Sequence, residues 1–284
     1  MQEFEIITFE NLAVYAIGDL HGEFPTLMWY IKDRDIRDSL LIVCGDCGFG
    51  FESVEANQQT LNKLEKVIRE RNVHIVFVRG NHDKPSIFQN KGNMFKRLKY
   101  CHIVKDYTVL EILNEGMEPY HILCVGGAIS VDRFNRIRDN QEFLLSYIRW
   151  HAGCDKEDAD LNARKCYWED EPMFLDRDAL DAIKTSGINI DCVVTHTAPS
   201  FCYPIEKGGN IGFWLAIDSD LNTDLDVERE IGKELYNILK DDGHQIKKWC
   251  YGHFHMHHIE EIDGILFCLN DKVRSCSIDY TQIL

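Results

Sequence analysis

The chain has 284 residues, 45% of them apolar, which predicts one large domain (1–284) with a substantial core. Its formal net charge is −16, and such an acidic surface opposes binding of long nucleic acids, which depends on cationic side chains. No apolar stretch approaches the roughly 20 residues that a membrane helix requires. No basic segment followed by an apolar run marks a signal peptide, so no membrane association is expected.

The 11 cysteines predict buried free thiols, not a disulfide framework. Their number is odd, no CxxC pair occurs, and five lie within or beside apolar strand-like runs, where cysteine behaves as a small hydrophobe. These five are Cys44, Cys124, Cys192, Cys250 and Cys268. We therefore expect a reduced, cytoplasmic protein.

The first 80 residues alternate between strand and helix patterns. Short apolar runs at 13–17, 40–44 and 73–78 predict strands, and apolar residues at three- and four-residue spacing predict helices over 24–36 and 54–70. This βαβαβ order predicts parallel strands with crossover helices, and ligands collect at the carboxyl ends of such strands.

The rest of the chain predicts a second set of strands, so that each half is expected to contribute one sheet. Residues 101–104, 107–113 and 120–125 are typical of consecutive, antiparallel strands. After them come a strand, a helix, another strand and a hairpin: 192–195, 227–239, 249–251, and 257–262 joined to 265–269.

The segment 130–178 interrupts this rhythm, because it is rich in charged and aromatic residues. It predicts a helical insert that caps the functional site. A peripheral decoration with no role at the site is the alternative, and the sequence leaves both open.

Five short loops carry metal-ligating side chains beside a glycine or at the end of an apolar strand. They are Gly18-Asp19-Leu20-His21-Gly22, Gly45-Asp46, Gly80-Asn81-His82-Asp83, Thr195-His196 and Gly252-His253-Phe254-His255. Carboxylate and carboxamide oxygens together with imidazoles suit Mn²⁺, Fe and Zn²⁺ better than Ca²⁺, which prefers oxygen ligands throughout.

The spacing within these loops indicates two metal ions. Residues two apart point the same way in an extended backbone, so Asp19 and His21 can reach one ion, as can His253 and His255. Asp46 is placed to bridge two ions. Two neighbouring metals can clamp the attacking and leaving oxygens of a phosphoryl transfer and activate the water between them.

This series of motifs resembles the calcineurin-like metallophosphoesterase superfamily over residues 13–270. The resemblance implies an α/β fold, a four-layer sandwich of two mixed β-sheets flanked by helices, with a dinuclear metal site at the strand C-terminal edge. It implies two ligand sets and one bridging residue: Asp19, His21 and His255 for one metal, Asn81, His196 and His253 for the other, and Asp46 between them. It also implies that His82 protonates the leaving oxygen, and Asp83 is a second catalytic candidate that could orient His82.

Two loops are especially similar to the phosphoprotein-phosphatase branch of that superfamily: residues 18–22 and 79–82. That branch continues its second motif as Gly-Asp-x-Val-Asp-Arg-Gly. This chain has Phe49 in place of the Asp that orients the catalytic His and Gly50 in place of a phosphate-binding Arg. Residues 126–133 and 167–171 instead resemble uncharacterised bacterial and phage members.

Two arginines after a glycine-rich strand end are candidate substrate ligands. Arg133 and Arg136 could each clamp phosphoryl oxygens bidentately. Ion pairing with the acidic residues of the insert is the open alternative for both. Arg79 is expected to brace its loop through a carboxylate.

We therefore expect hydrolysis of a phosphomonoester or phosphodiester by a metal-bridging hydroxide, with His82 as general acid. Two ions, Mn and/or Fe or else Zn, would be the cofactors. The expected partner is a small phosphorylated substrate or nucleotide. A Ser/Thr-type protein phosphatase is one alternative and a non-catalytic metal-binding scaffold is another, while the oligomeric state is left open.

Overall fold

The computed structural model describes residues 4–151, 165–205, 211–274 and 277–284. Its strands are β1 (Ile6–Glu10), β2 (Ala13–Ile17), β3 (Ser39–Val43), β4 (Val73–Phe77), β5 (Cys101–Ile103), β6 (Thr108–Leu113), β7 (Tyr120–Val125), β8 (Cys192–Thr195), β9 (Lys248–Tyr251), β10 (His258–Ile262), β11 (Ile265–Leu269) and β12 (Tyr280–Gln282). Its helices are α1 (Phe24–Asp33), α2 (Val54–Arg69), α3 (Pro85–Gln89), α4 (Arg133–Trp150), α5 (Arg177–Ser186), α6 (Ile211–Ile217) and α7 (Leu221–Asp241). No helix within these ranges is long and apolar enough to cross a membrane.

The strands form two mixed sheets, as the fold prediction requires. The larger sheet has the order β1-β6-β7-β8-β9-β11-β10, and the smaller has the order β12-β2-β3-β4-β5. Strands β2, β3 and β4 run parallel to one another, as do β7, β8 and β9. The carboxyl ends of these central strands therefore supply all five metal-ligand loops that the sequence singled out.

The expectation that each half of the chain forms its own sheet is wrong at three strands. β1 pairs in parallel with β6 in the larger sheet, and β12 pairs antiparallel with β2 in the smaller one. β5 pairs in parallel with β4, so it is not the antiparallel neighbour of β6 that its position in the chain suggested. All three are edge strands, whose partners are set by which sheet edge is open, not by proximity in sequence.

Three buried layers of side chains alternate with the backbone layers. Leu41 and Val43 of β3 face α1 and α2, whereas Leu40 and Ile42 of the same strand face the other sheet. The opposite face of the larger sheet packs on α5 and α7 through residues such as Trp249. Because successive strand residues point to opposite faces, this alternation builds helix, sheet, sheet and helix layers, and the four-layer sandwich is confirmed.

The space between the two sheets is filled mainly by aliphatic side chains and by the five cysteines in strand-like runs. Cys44, Cys124, Cys192, Cys250 and Cys268 all belong to this central cluster. Nine cysteines lie in the described ranges, and the eight that are buried are free thiols.

The sequence of the long helix α2 explains why it forms and how it packs on the smaller sheet. Ser53 caps it by accepting a hydrogen bond from the backbone N–H of Ala56, and Leu61, Leu64 and Ile68 bury one face at helical spacing. On the other side, Glu65 accepts hydrogen bonds from the three successive backbone N–H groups of residues 99–101. Helix α2 thereby holds the edge strand β5 in place.

Phe49 provides a test of the core. Its ring is fully buried and lies 5.2–6.1 Å from the rings of Phe24, Phe77, Phe88 and Phe95, measured between centroids. We expect Phe49→Ala to lower the free energy of unfolding by about 3–5 kcal/mol, because it leaves a cavity within an aromatic cluster.

Urea unfolding followed by circular dichroism measures this loss. Phe213→Ala is the matched control, since Phe213 is 62% exposed and its removal should change stability by no more than about 0.5 kcal/mol. Equal effects of the two substitutions would contradict the assignment of Phe49 to the core.

Candidate metal centre

The five motif loops follow the carboxyl ends of five strands. Asp19 follows β2, Asp46 follows β3, and Asn81 follows β4, which are neighbours in the smaller sheet. His196 follows β8 and His253 follows β9, which are neighbours in the larger sheet. Because the two sheets are stacked, the loops of both meet at one edge of the sandwich.

The loops approach one another so closely that glycine is required beside the candidate ligands. A Cβ at Gly252 would collide with Oδ1 of Asp19, and a Cβ at Gly45 would collide with the ring of His196. Each glycine therefore makes room for a ligand supplied by a different loop.

Four candidate ligands adopt backbone conformations that non-glycine residues rarely use. They have φ angles between +46° and +69°: His21, Asp46, His253 and His255. A positive φ costs free energy for a residue with a Cβ, and such strain concentrates at functional sites. The surrounding structure holds these four side chains in positions that the local backbone disfavours.

One group of ligand atoms gathers around Asp19. Its Oδ2 lies 3.1 Å from Nε2 of His255 and 3.7 Å from Nε2 of His21. The Nε2 atoms of His21 and His255 are 2.9 Å apart. Oδ2 of Asp46 lies 3.8 Å from Nε2 of His21. One atom from each of these four residues lies within 4.8 Å of the others, a spacing at which they could hold one metal ion.

A second group gathers around the carboxamide oxygen of Asn81. Oδ1 of Asn81 lies 2.9 Å from Nε2 of His196 and 3.1 Å from Nδ1 of His253. The Oδ1 atom of Asp46 is 3.2 Å from Nε2 of His196. The two oxygens of Asp46 thus face different groups, which is the arrangement expected of a bridging carboxylate.

The chemistry of the first group fits a cation. Oδ2 of Asp19 is buried and has no hydrogen-bond partner among the described residues. A buried carboxylate oxygen without a partner costs free energy, whereas coordination of a divalent ion would satisfy it. Oxygen and imidazole donors converge on this atom, so the residues present suit Mn²⁺, Fe or Zn²⁺.

His196 is preorganised as a ligand. It is fully buried, and its Nδ1 donates a hydrogen bond of 2.6 Å to the carbonyl of Cys44, which turns Nε2 towards Asn81 and Asp46. Burial opposes protonation of this ring, but the carboxylates of Asp46 and Asp19 outweigh it and raise the pKa of His196 to about 10. The site therefore attracts positive charge.

His82 lies beside the first group, with its ring centroid 5.1 Å from that of His21. Its backbone N–H donates to Oδ1 of Asp46 at 2.8 Å, and Nη2 of Arg136 lies 2.5 Å from its Nε2. Burial lowers the pKa of His82 to about 4; Asp46 opposes the shift and Arg136 adds to it. Arg136 is the arginine candidate that contacts the predicted general acid.

Asp83 occupies a different place from the one that its predicted role suggests. Its carboxylate accepts hydrogen bonds of 2.8–2.9 Å from the backbone N–H groups of Cys47, Gly48, Phe49 and Gly80. Burial raises its pKa to about 6, against the effect of these N–H donors. Among the described side chains, the one that hydrogen-bonds to the His82 ring is Arg136, while Asp83 ties the Asp46 loop to the Asn81 loop.

The other arginine candidate, Arg133, and the loop-bracing Arg79 are both held by carboxylates. Arg133 forms ion pairs of 2.6 Å with Asp218 and 2.7 Å with Asp224, both outside the acidic insert that the sequence offered as its alternative partner. Hydrogen bonding to Asp218 raises the pKa of Arg133. Arg79 pairs with Asp106 at 3.0 Å, so it braces its loop as the sequence predicted.

The segment 130–178 contributes further side chains that sequence reasoning missed. The ring of Phe51 lies between those of His82 and Trp168, at 5.8 and 5.7 Å between centroids. Ser130 contacts Asn81 and Glu171. The sequence held a signal for Glu171 and Trp168, in the motif at 167–171, but no pattern connected that motif to Asn81. Residues 152–164, also part of the predicted insert, lie outside the described residues.

The sequence from residue 12 to residue 257 matches the family model for calcineurin-like phosphoesterases. The chain belongs to this family. It is thus a metallophosphoesterase, a metal-dependent hydrolase of phosphoric esters, and the family uses a dinuclear metal centre. The convergent ligands around Asp19, His21, Asp46 and His255 lie where that centre is expected.

Several solved structures resemble this metallophosphoesterase over most of its length. The protein TT1561 of Thermus thermophilus has 11% sequence identity and a TM-score of 0.47, covering 96% of this chain and 99% of its own. A dimetal phosphatase from Danio rerio has 11% identity and a TM-score of 0.47, covering 95% and 91%. The phosphopantetheinyl hydrolase of Mycobacterium tuberculosis has 14% identity and a TM-score of 0.43, covering 93% and 89%. The sequence has no match among curated proteins.

Metal binding should stabilise the fold. A ligand that binds only the folded state stabilises it by about 2.7 kcal/mol at a free concentration of 100 times Kd. We expect Mn²⁺ added to metal-depleted protein to raise the unfolding midpoint, as measured by differential scanning calorimetry. His21→Ala should lose part of this increase, since it removes a nitrogen from the first group.

His257→Ala is the matched control for this experiment. His257 lies close to His255 in sequence, but its Nδ1 pairs with Asp279 at 2.6 Å. It should respond to Mn²⁺ as the unaltered protein does. An equal loss in both variants would show that the response does not arise from the first group.

Proposed function

We propose that this metallophosphoesterase hydrolyses a small phosphomonoester or phosphodiester at the two ligand groups that share Asp46. The observation that carries the proposal is the orientation of the Asp46 carboxylate, whose two oxygens face His21 and His196 respectively. In this proposal Asp19, His21 and His255 hold one cation, and Asn81, His196 and His253 hold the other. When bound, the cations would lower the pKa of the attacking water and neutralise the phosphoryl oxygens.

The protein's own residues then have separate tasks. His82 donates its proton to the leaving oxygen as the P–O bond breaks, while water supplies the new bond to phosphorus. Asp83 holds the Asp46 and Asn81 loops together by accepting hydrogen bonds from their backbone N–H groups. It acts as a positioning residue, because its carboxylate bonds to the backbone of these loops and not to the ring of His82.

Arg136 has a role at the phosphoryl group in this proposal. Its guanidinium also donates hydrogen bonds to Oδ1 of Asp132 at 2.6 Å and to the carbonyl of Cys166 at 3.1 Å. These two bonds fix the position of the guanidinium beside His82. A substrate phosphoryl oxygen is a stronger acceptor than a neutral imidazole, so substrate would draw Nη2 of Arg136 away from Nε2 of His82. Without that guanidinium and beside the negative phosphoryl group, the ring would take up a proton more readily and could then donate it to the leaving oxygen. Arg133 then anchors the first turn of α4, which carries Arg136.

The core position of Phe49 favours a small substrate over a phosphoprotein. The phosphoprotein-phosphatase branch has an acidic residue at this position, whereas here the side chain is enclosed by other phenylalanines. An Asp at this position would be a buried charge without a partner. The eight buried free thiols among the described residues support a reducing compartment such as the cytoplasm.

His82→Ala tests the general-acid role. We expect kcat to fall by about 10²–10⁴-fold for phenyl phosphate, whose leaving group needs a proton. The loss should be much smaller for p-nitrophenyl phosphate, because nitrophenolate departs unprotonated. Steady-state kinetics with Mn²⁺ measures both, and metal content should stay at two ions per chain. Equal losses on the two substrates would contradict proton donation by His82.

Arg136→Ala tests phosphoryl binding. Loss of a hydrogen bond to a charged group costs about 1.5–3 kcal/mol, so kcat/KM should fall by about 10–100-fold. Arg138→Ala, in which the lost side chain is exposed and pairs with Asp139, should keep wild-type kinetics. An Arg136→Ala enzyme with unchanged kcat/KM would remove Arg136 from the proposal.

The substrate class can be separated with a panel of phosphopeptides, nucleoside monophosphates, dinucleotides and cyclic nucleotides, assayed with Mn²⁺, Fe²⁺ and Zn²⁺ in turn. We expect turnover of one or more small compounds and little of phosphopeptides. A preference for phosphopeptides would instead support a protein phosphatase.

A further inference from the structure

Two sequence motifs that lie outside the metal-ligating loops meet beside Asn81. Ser130 belongs to the glycine-rich segment 126–133, and Glu171 belongs to the aromatic and acidic segment 167–171. Both residues are 1% exposed. Although they are 41 residues apart in the chain, the two side chains meet beside Asn81, the one carboxamide among the candidate ligands.

A continuous chain of hydrogen bonds connects the three side chains. Nδ2 of Asn81 donates to Oγ of Ser130 at 2.9 Å. The hydroxyl of Ser130 lies 2.9 Å from Oε2 of Glu171, and the backbone N–H of Ser130 donates to Oε1 of Glu171 at 2.6 Å. Glu171 therefore holds Ser130 at two points and fixes the position of its hydroxyl oxygen.

The observed orientation of the Asn81 carboxamide is compatible with either protonation state of Glu171. Burial raises the pKa of Glu171 to about 8, against the hydrogen bonds from Ser130. Whether the Ser130 hydroxyl donates to a carboxylate or accepts from a carboxylic acid, its oxygen keeps a lone pair for the amide of Asn81. The NH₂ of Asn81 faces Ser130, and Oδ1 of Asn81 faces His196 and His253.

The backbone of Glu171 is tied to the same framework. Its carbonyl accepts hydrogen bonds from Nη1 of Arg79 at 2.7 Å and from the N–H of Ala128 at 3.1 Å. Arg79 precedes Asn81 by two residues, so the hydrogen bonds form a closed circuit through Arg79, Glu171, Ser130 and Asn81. A closed circuit of buried groups leaves the carboxamide little freedom to rotate.

We propose that Ser130 and Glu171 are positioning residues that present the Asn81 oxygen to the cation of the second group. A rotated carboxamide would direct its NH₂ at the cation, which repels it, so the free energy of binding depends on the orientation. Partners of metal ligands commonly have such effects, and their loss costs about 10–100-fold in metal affinity. The inference rests on the proposed two-metal function and deepens it.

Calorimetric titration of Mn²⁺ into the metal-depleted full chain tests the inference without an activity assay. We expect two sites in the unaltered protein. In Ser130→Ala and Glu171→Ala, one site should weaken by about 10–100-fold while the other keeps its affinity. Asn81→Ala should weaken that same site, which identifies it.

Glu171→Gln separates positioning from a general structural role. Glutamine can still accept from the Ser130 N–H and donate to its hydroxyl oxygen, as a protonated glutamate does, so most of the affinity should return. Asn140→Ala is the matched control. Asn140 binds the Tyr167 carbonyl and the Cys166 N–H, so its removal loosens the same segment without touching Ser130.

The outcomes distinguish this inference from the proposed function. Two wild-type sites in Ser130→Ala, folded as judged by circular dichroism, would overturn the role of Ser130 and Glu171 alone. If Asn140→Ala weakened Mn²⁺ binding at the same site equally, the inference would also be overturned. Loosening of the segment would then be enough to explain the loss of affinity. Fewer than two sites in the unaltered protein would instead refute the two-metal centre. If Glu171→Ala fails to fold, Ser130→Ala still decides the question.

Discussion

The structure depends on placing two carboxylates, Asp19 and Asp46, in a buried site where strand ends from two stacked sheets converge. Buried charges are costly unless they are paired, and here four histidines from both sheets surround them. The close approach requires Gly45 and Gly252, and it imposes positive φ angles on Asp46 itself and on three of the histidines. The same electrostatic cost makes this pair of buried carboxylates attractive to metal cations.

Backbone groups hold the loops as much as side chains do. Asp83 gathers four N–H groups from two loops, and Arg79 binds Asp106 and the carbonyl of Glu171. Both residues neighbour ligands in sequence, yet each acts by fixing chain segments to one another. Loops without regular structure need such buried polar contacts, because no ladder of backbone hydrogen bonds orders them.

The two positions that depart from the phosphoprotein-phosphatase pattern have structural surroundings of their own. Phe49 completes an aromatic core, and Gly50 has a φ angle of +115° and lies against Lys84 and Trp168. The cationic side chain beside His82 comes from α4, in the form of Arg136. In the proposed function, Arg136 would supply the phosphate-binding cation that position 50 of this chain lacks.

The sequence by itself determined the metal chemistry and most of the regular structure. The periodicity of apolar residues predicted strands such as β2, β3 and β7, and the spacing of Asp, Asn and His beside glycines predicted all seven candidate ligands. Only the tertiary structure decided which sheet receives β1, β5 and β12. Strands β1 and β12 pair with strands far away in the chain, and β5 pairs with β4 instead of its other chain neighbour, β6. The tertiary structure also decided that Asp83 binds backbone amides, that Arg136 reaches His82, and that Glu171 orients Ser130. Local patterns carry information about neighbours in sequence, whereas these contacts join segments that meet only when the sandwich has formed.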